Sequence, residues 1–186
     1  MQEKGGNMEK ISDRSRTSKS HLIVIIACIS VIIAMMSFSI YRYFDIGFWS
    51  PLEFFGEAMI ILVLIERAQS RLFFELDKKS LRITKRGIFG TQEHTVALKD
   101  VIGIYRYAPK LISPVKFRRT YRLHSALDPR TVWTLAYRAQ QGGKVENRRM
   151  YLKVADEFLE ALNDRLPGKA RIPEEQVVRT IILDEK

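Results

Sequence analysis

The chain reads as an α+β protein: a two-helix transmembrane hairpin, then a seven-stranded antiparallel β-barrel or sandwich capped by a helix. Three observations predict this. Leu22 to Tyr41 is an uncharged run of 20 residues, and a second apolar stretch follows closely and ends at Ile65. From Leu72 onward the hydrophobic period drops to two, in seven short segments with polar connections. After Val154 the apolar residues recur at three- and four-residue spacing.

The first run predicts a membrane helix. At about 1.5 Å per residue, 20 residues cover about 30 Å, the thickness of a hydrocarbon core. Lipid offers no partner to the backbone, so helix is favoured despite the β-branched Ile and Val residues. A cleaved leader is the competing reading, but the run ends in Arg42-Tyr43-Phe44, with no small-residue cleavage pattern. The second stretch, Phe48 to Ile65, is interrupted by Pro51, Glu53, Gly56 and Glu57. It has the minimum spanning length, and Pro51 suits a first helical turn. A re-entrant or interfacial helix is the alternative. Basic residues precede the first run (Lys4, Lys10, Arg14, Arg16, Lys19) and follow the second (Arg67, Arg71), while the turn holds only Arg42 beside Asp45. Both termini are therefore expected on the cytoplasmic side. Tyr41, Tyr43, Phe44, Phe48 and Trp49 would form an aromatic belt at the turn.

Residues 1–21 read as a disordered basic lead, 22–66 as the hairpin, 71–171 as a cytoplasmic domain and 172–186 as a tail. Within the domain, Leu72, Phe74 and Leu76 alternate with polar or outward positions, and Leu81 and Ile83 repeat the pattern beyond a polar turn. Glu93 to Leu98 and Val101 to Tyr107 make a second strand pair, and Pro109 and Pro114 bound a loop. Lys116 to His124, Thr131 to Tyr137 and Arg148 to Val154 complete seven strands. Ala155, Phe158, Leu159, Leu162 and Leu166 then form a helical stripe, stopped by Pro167-Gly168. In the tail, VVRTIIL (Val177 to Leu183) suggests an edge strand or a docking segment.

The net charge of +10 is concentrated in the domain, where Arg67 to Arg171 holds 23 basic against 10 acidic residues. Such a surface suits a membrane-side domain, anionic headgroups, an acidic protein or, less well for a tethered domain, nucleic acid. A single cysteine, Cys28, inside the first run leaves no disulfide framework. His21, His94 and His124 are scattered, and neither a phosphate loop nor a nucleophile elbow occurs, so no catalytic residue, cofactor or metal site is expected.

The phrases Phe74 to Arg86 (FELDKKSLRITKR) and Val96 to Val101 (VALKDV), with a closing helix after Tyr151-Leu152-Lys153-Val154, resemble small bacterial membrane proteins with a pleckstrin-homology-like domain. The likeness spans roughly Leu72 to Leu166. It implies a binding module rather than an enzyme. The first strand carries Phe73, Phe74 and Glu75 where phosphoinositide-binding relatives carry a basic residue.

Two sets of residues stand out. Lys116, Arg118, Arg119, Arg122 and Arg130, interleaved with Phe117 and Tyr121, form a candidate binding face. Alternation places Lys116, Arg118 and Arg122 on one side of a strand, and a solvated, protective edge strand would look the same. Glu53 and Glu57 lie four apart, hence on one helical face. One reading is an ion or proton site or a handle for a polar partner helix, and another is a tilted or shallow helix with both acids in water. The plainer reading has Glu53 meeting Arg42, and Glu57 hydrogen-bonded to Ser30 or Ser37. The expected protein is a membrane-anchored interaction or scaffold module whose cytoplasmic domain binds a protein partner or an anionic lipid surface. The alternative is an accessory subunit of a transporter or channel that works through Glu53 and Glu57.

Overall fold

The computed structural model describes residues 11–48, 50–109 and 115–184. Met1 to Lys10, the expected aromatic anchor Trp49, and Pro114 of the expected loop lie outside the described residues. Among the described residues the fold is α+β, with four α-helices and two four-stranded sheets.

β1 (Ile11–Arg14) precedes two helices, α1 (Lys19–Ile46) and α2 (Pro51–Gln69). Gly47, in the left-handed conformation at φ 68°, ends α1, and its N–H bonds back to the Tyr43 carbonyl. That backbone suits glycine. Ser50 caps α2, accepting from the Glu53 N–H, with Pro51 in the first turn. α2 packs back along α1. Among the described residues, only α1 is long and apolar enough to cross a membrane by length and composition. The expectation of two such helices is corrected here: Glu53, Glu57, Glu66 and Arg67 interrupt the 19 residues of α2.

The first sheet runs β1-β2-β3-β4, with β2 (Arg71–Leu76), β3 (Ser80–Gly87) and β4 (Gly90–Ala97) in an antiparallel meander. The second has the order β5-β7-β8-β6, from β5 (Val101–Arg106), β6 (Arg119–Leu123), β7 (Trp133–Gln141) and β8 (Lys144–Leu152). A single seven-stranded antiparallel barrel is therefore corrected on three points. There are two sheets, an eighth strand comes from the basic lead, and β6 lies parallel to β8. The expectation of disorder over residues 1–21 is corrected at β1, whose one apolar residue is Ile11. The strand forms because β2 offers an unpaired edge, with Arg14 opposite Phe73 and Ile11 opposite Leu76.

The alternation read from the sequence explains the main core. Leu72, Phe74, Leu76, Leu81, Ile83, Ile104, Leu135, Met150 and Leu152 are buried together with Phe158, Leu159 and Leu162 of α3 (Asp156–Arg165). Phe74 and Phe158 meet at 6.3 Å between ring centroids. Burial of each such side chain contributes roughly 1.5–3 kcal/mol. A second cluster lies on the other side of sheet two, where Val177 and Ile181 of α4 (Glu174–Asp184) pack on Ile102, Tyr105 and Ala136. The tail segment VVRTIIL is thus helical rather than a strand. A Cβ at Gly103 would come within 2.6 Å of Ile172 and 2.7 Å of Val177, so a bare glycine is what lets the tail approach β5.

Candidate functional site

The outer face of sheet two carries two rows of residues across the strands. Directly paired residues share a face. Tyr105 (β5) pairs with Thr134 (β7), which pairs with Tyr151 (β8), which pairs with Arg122 (β6). Beside this row run Gly103, Ala136, Arg149 and Thr120. α4 covers the β5 end through Ile102, Tyr105 and Ala136. The rest is a groove of about 690 Å³ lined by Tyr107, Thr120, Arg122, His124, Arg149 and Tyr151.

Arg149 sits at its centre. Its Nε donates to Thr120 Oγ1 at 3.0 Å. Its guanidinium lies 4.9 Å from the Phe117 ring centroid and 5.4 Å from that of Tyr151. Tyr107 packs edge-on to Tyr151 at 4.8 Å. These contacts hold a flexible side chain in one orientation, which reduces the entropy lost on binding a ligand. A side cavity of about 90 Å³ continues the groove between Tyr105, Thr134 and Glu174. Thr134 is fully buried, and its Oγ1 has no hydrogen-bond partner. Burial pushes the Tyr105 hydroxyl up to about 12, with Glu174 adding to the rise and Arg149 opposing it. Burial, then the nearby Lys153, hold His124 below the ordinary imidazole value.

The structure divides the basic face that the sequence suggested. Arg122 lines the groove. Lys116 and Arg119 are exposed, and Arg118 is exposed and 3.5 Å from Glu146. β6 begins only at Arg119, so strand alternation does not place Lys116 and Arg118 with Arg122. The interleaved aromatics separate as well: Phe117 lies under Arg149, while Tyr121 packs on the main core and against His94 at 4.9 Å. No row of stacking rings runs along β6.

Arg130 leaves the face altogether. Its Nη1 donates to Asp13 Oδ2 at 2.7 Å, its Nη2 to Asp128 Oδ2 at 2.7 Å and its Nε to Asp128 Oδ1 at 3.0 Å. Nη2 also donates to the Arg14 carbonyl at 2.9 Å. Asp128 accepts from the Arg16 N–H at 3.0 Å, and Asp13 from the Ala155 N–H at the start of α3 at 2.8 Å. Burial alone would raise Asp128; the Arg130 guanidinium and the backbone N–H groups of Arg16 and Arg130 outweigh it and hold the carboxyl below the usual range. The result is a clasp joining β1, the β6–β7 loop and α3. It continues to the foot of α1, where the Ser18 N–H donates to the Leu127 carbonyl at 3.0 Å.

In the helix pair, Arg42 lies 3.5 Å from Glu53, as the plainer reading expected. Glu57 is 7% exposed, and neither of its carboxylate oxygens has a partner. Ser30 and Ser37 donate instead to the carbonyls of Ile26 and Ile33 in their own helix. The expected bond to Glu57 is not made.

Arg149, Tyr107 and Tyr151 were missed by sequence reasoning. Arg149 and Tyr151 join Arg122 through the parallel pairing of β6 with β8, and Tyr107 reaches them from the end of β5, neither of which alternation encodes. Comparison with protein-family models, with curated proteins and with solved structures gives no match for this chain.

Proposed function

We propose that this protein is a membrane-anchored, non-enzymatic binding module whose domain presents the Arg149 groove to an acidic segment of a protein partner. One observation carries the anchoring. β1 and β2 are paired, α1 starts at Lys19 just after β1, and α2 ends at Gln69 just before β2. The helix pair thus leaves and returns at one edge of one sheet. In α1, Ile23, Val24, Ile26, Val31, Ile33 and Phe38 are all exposed, which suits lipid and not water. With α1 across a bilayer, the pairing of β1 with β2 keeps the domain on one side, so the chain must return through α2, although that helix with its four charged residues does not qualify as a span by itself. Loss of α1 as a leader would also remove β1 from the sheet. Lys19, Arg67 and Arg71 at the domain end, against Arg42 at the turn, favour a cytoplasmic domain.

For the ligand, tyrosine and arginine are the residues that dominate protein interfaces. The meander, the second sheet and the closing helix also support kinship with pleckstrin-homology-like domains, while the parallel β6 departs from the expected pattern. The test is photocrosslinking from the position of Val132, which also lines the groove, in the native membrane. A protein adduct that disappears in Arg149→Ala and is displaced by an acidic peptide supports the reading. Adducts to lipid alone would overturn the protein partner in favour of an anionic surface.

A second reading has its own observation, the unpartnered buried Glu57. On it, the helix pair serves as an accessory subunit whose acid meets a polar helix of a transporter or channel.

A further inference from the structure

The β3–β4 turn is chemically out of place for a soluble protein. Gly87 pairs with Gly90, leaving Ile88 and Phe89 as the two turn residues. Two-residue turns ordinarily carry Asn, Asp or Gly. Here the tip presents two large apolar side chains, 49% and 69% exposed. Gly90, at φ 122°, takes the backbone conformation that a side chain would resist.

The position of the tip is fixed by α2. Glu66, the first charged residue after the apolar run of that helix, accepts from the Ile88 N–H through Oε2 at 2.7 Å. Lys85 lies 3.9 Å from the same carboxylate. A Cβ on Gly87 would overlap Glu66, so the glycine is what allows this approach. Ile88 and Phe89 therefore sit level with the turn where α2 passes from apolar to charged. Lys85 and Arg86 lie just behind them on β3, and Arg67 and Arg71 flank the same level.

We propose that Ile88 and Phe89 insert into the headgroup–acyl boundary of the bilayer as a third membrane contact beside α1 and α2, with the basic residues behind them against anionic headgroups. Apolar side chains buried at that boundary beneath basic residues are the pattern of interfacial anchors. A short turn with two such residues is a weak anchor on its own. Attached to α2 through Glu66, it instead sets the tilt of the domain and therefore the direction in which the Arg149 groove faces. The inference rests on the spanning of α1 proposed above.

The experiment uses the full chain with Cys28→Ser, reconstituted in vesicles containing anionic lipid, with an environment-sensitive fluorophore on Ile88→Cys or, separately, on Phe38→Cys in α1. Quenching is read with lipids labelled near the headgroup or near the chain end. The inference expects a blue-shifted probe at position 88, quenched more by the shallow label, and a probe at 38 quenched more by the deep label. A quenched probe at 38 with an unquenched, water-like probe at 88 would overturn the insertion and leave the spanning reading intact. No quenching at either position would overturn the spanning reading and the insertion with it.

Discussion

Nothing local in the sequence distinguishes Arg130 from Arg118 or Arg122. The difference lies in Asp13, more than a hundred residues earlier, and in Asp128 two residues before it. Replacing Arg130 with Met would leave two largely buried carboxylates facing each other. Losing one partner of a buried ion pair costs about 3–5 kcal/mol. Thermal unfolding of Arg130→Met should show a loss of that order, whereas Arg118→Met, at an exposed pair, should change little. The pH dependence has a definite sign. Asp128 is held below its ordinary value when folded, so the clasp contributes fully above that ordinary value and its contribution is lost as the pH falls through the folded value. Asp128→Asn should therefore narrow its stability deficit in acid, as followed by unfolding at pH 7 and pH 3. Glu57 behaves oppositely. Its oxygens have no partner in the helix pair. Glu57→Leu should thus raise the unfolding temperature in a nanodisc, consistent with removing a buried-polar cost of about 1–3 kcal/mol. A fall would show that the carboxylate is engaged. A stabilised variant that loses its cellular phenotype would place its use with a partner helix.

At the level of elements, sequence reasoning succeeded where one face of a segment is buried and failed where burial is set by distant chain. All seven expected strands are present, because Leu72, Phe74 and Leu76, or Leu135 and Tyr137, alternate into one core. α3 was legible for the same reason at helical spacing. β1 was not, because a strand with one apolar residue is formed by its neighbour's open edge rather than by its own pattern. In the tail, β-branched residues suggested a strand, but Val177 and Ile181 lie four apart and Glu174 and Glu175 sit in the first turn, which favours a helix on a sheet face. Of the candidate site, Arg122 was legible and its neighbours on β8 were not. The contact of α4 with Gly103 is testable directly. A methyl at Gly103 meets Ile172 and Val177 inside contact distance. Gly103→Ala should cost about 1–3 kcal/mol by overpacking. Amide exchange should locate the loosening in α4 while β2 and β3 keep their protection. Restoration by Val177→Ala in the same chain would identify the clash as the cause. Uniform loosening across both sheets would instead mean that the glycine serves the strand and not the helix.

On the scale of the whole molecule, the decisive relation is that one sheet edge receives both ends of the helix pair. Leu72 N–H donates to Ser15 Oγ at 3.0 Å, and the Ser15 N–H donates to the Leu72 carbonyl at 2.9 Å, so the chain entering α1 is bonded to the chain leaving α2. Rigid attachment at both ends means that the domain cannot rotate freely about a single stalk. It also links topology to chemistry: the clasp meets the foot of α1 through the Ser18 N–H and the Leu127 carbonyl, and the Ile88–Phe89 tip meets the end of α2 through Glu66. The prediction is a sidedness. In intact cells of a Cys28→Ser chain, a cysteine at Asp45 should react with an impermeant maleimide from outside. One at Lys99, beyond β4, should react only after permeabilisation. If both positions react from outside, the basic flanks do not orient the protein and the groove serves an external partner. If Asp45 is protected and Lys99 is not, α1 crosses in the opposite sense. If neither reacts until the membrane is opened, α1 and α2 do not reach the far surface, and the exposed apolar surface of α1 must be covered by another protein within the same compartment as the domain.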